Sequence, residues 1–138
     1  MINFIVITHG EFGAYLVEAA EAIVGRQAAG VKAVSVSARQ SLAEMRGRLE
    51  KTIDALSGPD GLVVFTDMQA GTPVNLAFPA VKDREGAELV SGVNLAMLVT
   101  AFNHRGDMTL TELLEKILKN GRGAVCDFKQ LVKVRSKH

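Results

Sequence analysis

The 138-residue chain reads as one α/β domain: a doubly wound, mainly parallel sheet with helices on both faces. Two short runs, Phe4-Ile5-Val6-Ile7 and Leu62-Val63-Val64-Phe65-Thr66, are apolar without alternation, the pattern of strands covered on both sides. Between and after them lie segments whose apolar residues recur at helical spacing, so strand and helix alternate and each crossover is right-handed. Length adds the third constraint, since a chain of this size closes around a single core.

Taken in order, residues 2–8 form the first strand. Leu16, Val17, Ala20, Ile23 and Val24 then line one face of a helix over residues 13–24, which Gly25 stops. Residues 31–36 supply a second strand. Ser41 and Glu44 have capping-box spacing and open a helix that runs to about Leu56. The Gly58-Pro59-Asp60-Gly61 turn leads into the strand at 62–66, which ends in Asp67. Pro73 suits the first turn of the next helix, with Thr72 placed to cap it. Residues 88–91 make a fourth strand, and an apolar helix follows from Leu95 to about Phe102. Thr109 and Glu112 start an amphipathic helix to Lys119, for which Asn120-Gly121 is the expected terminator. A fifth strand is expected within 124–134, followed by a basic tail over 132–138 containing Lys133, Arg135 and Lys137.

Sixteen basic residues against 15 acidic ones give no charge-driven affinity for nucleic acid or anionic lipid. No apolar stretch approaches the ~20 residues of a membrane-crossing helix, so direct membrane insertion is not expected. The amino-terminal residues have no leader pattern and Cys126 is the only cysteine, which together read as cytoplasmic. Cys126 is expected as a small buried residue of the fifth strand.

In doubly wound sheets, ligands gather beyond the carboxyl ends of the strands. His9 follows the first strand and Asp67 the third, so the two side chains share one rim if those strands are neighbours. A carboxylate bonded to one imidazole nitrogen fixes the tautomer and leaves the other nitrogen as a nucleophile. Gly10, Gly13 and Gly71 permit close backbone approach, and amides at the start of the helix after Thr72 suit an anion. The set fits phosphoryl transfer through a phosphohistidine. It fits equally a loop histidine without chemistry beside an aspartate that caps a turn. His104, at a helix end, reads as structural, and His138 is uninformative. No nucleotide loop, dinucleotide fingerprint or serine-nucleophile elbow is present, and three scattered histidines with one cysteine give no metal site.

Three stretches, "IVITHGEFG", "GLVVFTDMQAGTPVN" and "SGVNLAMLV", carry a family resemblance. In order and spacing they are similar to the IIA domain of the mannose family of the bacterial phosphoenolpyruvate-dependent sugar phosphotransferase system, over about residues 1–128. The resemblance implies that His9 accepts a phosphoryl group from phospho-HPr and passes it to a IIB histidine, that Asp67 orients it, and that Thr72 belongs to the same pocket with Gly10 and Gly71. It implies transfer without metal or other cofactor, and a homodimer in which the carboxyl-terminal strand, here about 124–131, crosses to the partner's sheet. The family loop usually has Gly-Gly where Ala70-Gly71 stands, a large apolar residue at Gln69, and proline at Ala96. Gln69 is expected on the docking rim. Two other roles are compatible with the same residues: a stand-alone carrier that regulates by its phosphorylation state, and an anion-binding module without transfer.

Overall fold

The computed structural model describes residues 1–136. Its elements run β1 (Asn3–His9), α1 (Phe12–Val24), β2 (Val31–Val36), α2 (Leu42–Leu56), β3 (Leu62–Thr66), α3 (Thr72–Val81), β4 (Ala87–Val90), α4 (Leu95–His104), α5 (Leu110–Gly123) and α6 (Phe128–Ser136). The four strands form one parallel sheet in the order β2-β1-β3-β4, which puts β1 and β3 side by side at its centre and meets the condition on which His9 and Asp67 share a rim.

Alternation along the central strands builds two cores. Phe4, Val6 and Phe65 point to the side covered by α1, α4 and α5, where they meet Leu98, Phe102, Leu113 and Ile117. Ile5, Ile7 and Val64 point the other way, onto Met45, Leu49 and Ile53 of α2 and Leu76 and Val81 of α3. Because both faces of β1 and β3 are covered, no polar residue lies between Asn3 and Thr8 of β1 or before Thr66 in β3. Helices α2 and α5 start where the capping chemistry places them. Ser41 Oγ accepts from the Glu44 N–H at 3.1 Å, and Thr109 and Glu112 form a reciprocal capping box.

At the opposite end of the sheet from the strands' carboxyl termini, Arg105 is buried and ties separate segments together. Its Nε donates to the Ile2 carbonyl (2.9 Å), Nη1 to the Ala29 carbonyl (2.9 Å) and Nη2 to Asn3 Oδ1 (3.1 Å), while the guanidinium lies over the Phe4 ring. Burial lowers its pKa from the ordinary arginine value.

Two expectations at the carboxyl end are corrected. Asn120-Gly121 does not end α5, which continues to Gly123. Gly121 serves close packing instead, since a Cβ there would lie 2.5 Å from Met97 Cε and 2.6 Å from Met97 Cγ of α4. The neighbouring amides hold the same contact: Asn94 Nδ2 donates to the Gly121 carbonyl and Asn120 Nδ2 to Thr100 Oγ1.

The expected fifth strand at 124–131 is also absent. Residues 128–136 are helical, Asp127 Oδ1 accepts from the Gln130 N–H at 3.1 Å, and the Leu131 N–H bonds the Asp127 carbonyl. The segment is rich in straight-chain helix formers, and none of α6 is buried, so its local preference is not overridden by packing into the core. Cys126, expected inside a strand, is exposed. The basic stretch begins inside α6, and Lys137 and His138 lie outside the described residues.

Gly121→Val should place methyl groups inside the space of Met97 and destabilise the protein by about 1–3 kcal/mol. The readout is a lower urea midpoint at unchanged slope; an unaltered midpoint would show that Met97 moves aside without cost.

Candidate functional site

In the parallel register Thr66, the last residue of β3, pairs with Ile7 of β1, so Asp67 and His9 follow one and two residues beyond the same pair and leave the sheet at one edge. His9 Nδ1 lies 2.8 Å from Asp67 Oδ2, and the same oxygen accepts the His9 backbone N–H at 2.9 Å. One carboxylate oxygen thereby holds both the backbone and the ring of His9, fixing position and orientation at once. The imidazole is 49% exposed and the carboxylate only 13%, so the pair has a sheltered side and an open one. With Nδ1 committed to Asp67, Nε2 is the nitrogen left free.

Burial opposes ionisation of Asp67. Hydrogen bonds from the His9 backbone and ring, the charge on His9 and Asp67's own amide outweigh that cost, and the carboxyl pKa falls below its ordinary 3.8. Its other oxygen, Oδ1, is buried and has no partner among the described residues, so stabilisation of the carboxylate is concentrated on the edge that faces His9.

Gly71 closes the other side of the ring. It has φ of 99°, and a Cβ there would stand 3.0 Å from both His9 Cε1 and Nε2. Glycine is needed both for this backbone conformation and for the close approach. It also corrects the reading of Thr72 as a cap: Gly71 is the N-cap, Thr72 is the first helical residue, and no side chain caps α3. The first amides of α3, including those of Thr72 and Val74, have no intrahelical acceptor, while Pro73 has no N–H to satisfy. These unpaired amides and the positive end of the helix begin beside Nε2.

Gly10, at φ 59°, turns the chain after His9 and donates its N–H to the Val36 carbonyl at 2.8 Å. Gln69 is two residues from Asp67 but lines a groove beside β4 with Ser91, Asn94, Arg122 and Val125. His104 bonds Asp107 at the end of α4, as its structural reading requires.

Two residues of the site were not singled out from sequence. Thr8 and Thr66, both completely buried, are the last fully covered positions of β1 and β3. Thr8 Oγ1 accepts the Gly13 N–H at 2.8 Å and donates to the Gly10 carbonyl, while Thr66 Oγ1 donates to the Met68 carbonyl. Each hydroxyl clasps the turn that bears the next side chain, His9 or Asp67. The available signal was a hydroxyl closing each otherwise apolar run.

Comparison with known proteins gives a consistent picture. The family model described as PTS system fructose IIA component matches residues 3–118. The PTS system mannose-specific EIIAB component of Escherichia coli (strain K12) is 27% identical over 125 residues, covering 90% of this chain. The chain spans 38% of that relative's length. The crystal structure of phosphotransferase system component EIIA from Streptococcus agalactiae superposes with a TM-score of 0.83 at 26% identity, covering 94% of this chain and 99% of that one. A PTS IIA protein associated with the fucose utilization operon of Streptococcus pneumoniae has the same fold, with a TM-score of 0.87 at 22% identity and coverage of 95% and 96%.

The depressed Asp67 pKa has a definite consequence for stability. Between the folded value and the ordinary 3.8, the unfolded chain binds the extra proton, so stability rises with pH. The contribution is complete above about pH 4 and is lost as pH falls through the folded value. Asp67→Asn should lack this component, seen as a shallower acid-side fall in the urea midpoint than in the parent. Parallel curves for the two proteins would refute it.

Proposed function

The chain belongs to the mannose-type IIA family of sugar phosphotransferase systems, and from that premise we propose that His9 carries the phosphoryl group. Nε2 attacks the phosphorus of a phosphohistidine on the donor, HPr. The new N–P bond forms as the donor's N–P bond breaks, and the donor imidazole leaves with the electron pair. The same exchange then runs from His9 to a histidine of a IIB protein. Attack by Nε2 leaves positive charge on the His9 ring, which still carries the Nδ1 proton, and Asp67 is the group that stabilises it. The phosphoryl oxygens face the amides at the start of α3, with Gly10, Gly71 and Thr72 around them. Donor and acceptor are both phosphoramidates, so alignment and charge stabilisation suffice without metal or nucleotide.

The observation that carries this reading is the 2.8 Å contact of His9 Nδ1 with Asp67, because it selects one nitrogen as nucleophile and points it outward beside a helix start. Incubation with phosphoenolpyruvate, enzyme I and HPr should add one acid-labile, base-stable phosphate per chain. His9→Ala should remove it entirely. Asp67→Asn should fold and still accept phosphate, but about 10–100-fold more slowly, the usual cost of losing a group that orients a reacting imidazole. Label on any residue other than His9 would sink the assignment.

A homodimer is part of the proposal. Val125 is 81% and Phe128 69% exposed, and β4 pairs with β3 alone, leaving its other edge open. A second copy covering these apolar residues and that edge removes both liabilities. The protein should sediment as a dimer, and deletion of residues 125–138 should yield a folded monomer; a monomeric parent at micromolar concentration would overturn this.

A further inference from the structure

We propose that Arg39 is a phosphoryl contact: its guanidinium closes over the phosphate on His9 Nε2 from the side opposite α3. This rests on the phosphocarrier reading of His9.

The register of the sheet carries the argument. His9 pairs with Val36, the last residue of β2, and the Gly10 N–H bonds the Val36 carbonyl at 2.8 Å. Neighbouring strands are about 4.8 Å apart, so the exit of β2 lies directly beside the histidine. Parity then selects the face. Ile5 and Ile7 belong to the core under α2 and α3, and His9, two residues on, projects to that same face. The connection from β2 to α2 crosses that face too. Arg39 is three residues past Val36, a span of at most about 10 Å, short enough for a long side chain there and a phosphoryl group on His9 Nε2 to meet between the two strand ends.

The loop presents Arg39 and leaves its charge unspent. Its backbone N–H bonds Ser37 Oγ, the Gln40 N–H bonds the Ser37 carbonyl, and Arg48 pins the loop by donating to Gln40 Oε1 and the Ser35 carbonyl, each at 3.1 Å. Arg48 is thus engaged. The exposed Arg39 guanidinium has no hydrogen-bond or ion-pair partner among the described residues.

Charge supplies the need. A phosphoryl group brings about two negative charges to a site that already holds the Asp67 carboxylate and, at the start of α1, Glu11. On the β3 side the amides of α3 face this charge. On the β2 side, Arg39 offers an unengaged cation in the loop that leaves the strand end, and a planar guanidinium suits two phosphoryl oxygens at once.

The test uses the full chain with phospho-HPr as donor, and measures three quantities: the equilibrium division of phosphate between HPr and His9, kcat and KM. Arg39→Gln should shift the division about tenfold toward HPr and lower kcat, with the urea midpoint unchanged, and Arg39→Lys, which keeps the charge but not the planar fork, should recover part of both. A raised KM with the division unchanged would mean that Arg39 only steers docking, and would overturn the contact. An Arg39→Gln protein indistinguishable from a labelled parent would overturn it as well, leaving the role of His9 intact. A parent that takes no label at His9 would remove the phosphocarrier reading and this inference with it.

Discussion

An exposed imidazole ordinarily interconverts between tautomers and rotates about its own bonds, so that neither nitrogen is committed. Here Asp67 Oδ2 accepts from the His9 main chain and ring together. The site depends on this double contact, and the contact in turn depends on β1 and β3 lying side by side in the register that pairs Ile7 with Thr66. A shift of either strand by one residue would send its side chain to the opposite face of the sheet. The apolar runs that bury both faces of those strands therefore serve the chemistry indirectly, since they make any other register expensive.

The electrostatics of the pair follow from its asymmetric exposure. A fully exposed ion pair is worth little, because water screens it and the side chains lose entropy in forming it. A fully buried one would cost more in desolvation than it returns. Asp67 is sheltered enough for its bond to His9 to have a defined geometry, while His9 remains open enough to meet a nucleophile or electrophile carried by another macromolecule. Gly71 completes the arrangement by bringing the start of α3 against the ring. Any side chain at that position would hold the helix away and weaken its field at Nε2.

The parallel sheet and the two-sided burial of β1 and β3 were legible because they rest on strong local signals, unbroken apolar runs and turns marked by glycine and proline, while the His9–Asp67 pair followed from strand-end polar residues only on the condition, met by the strand order, that those strands are neighbours. What was missed depended on tertiary contacts with weak sequence signatures. Gly121 looked like a helix stop, since the same residue type serves both termination and close packing, and only the position of Met97 decides between them. Thr72 looked like a cap until the φ of Gly71 showed that the glycine occupies the cap itself. The segment after α5 has β-branched residues mixed with helix formers, and its conformation follows what it touches. Without burial, Asp127 and the helix formers prevail.

A reversible carrier faces a constraint that a one-way enzyme does not. If His9 carries the phosphoryl group as proposed, every interaction that stabilises it there in the resting state deepens a well from which the group must later leave, and binding spent on the ground state does not accelerate transfer. The fixed elements of this site are accordingly modest: backbone amides at a helix start and a carboxylate that acts on the ring rather than on the phosphate. Among the described residues no lysine or arginine side chain hydrogen-bonds to His9 or Asp67. A cation on a long, unengaged side chain at the edge of the site meets that constraint better than one locked against the imidazole. It can follow the phosphoryl group as the N–P distance lengthens toward the acceptor, so the stabilisation it gives the resting phosphohistidine is not lost at the moment of transfer.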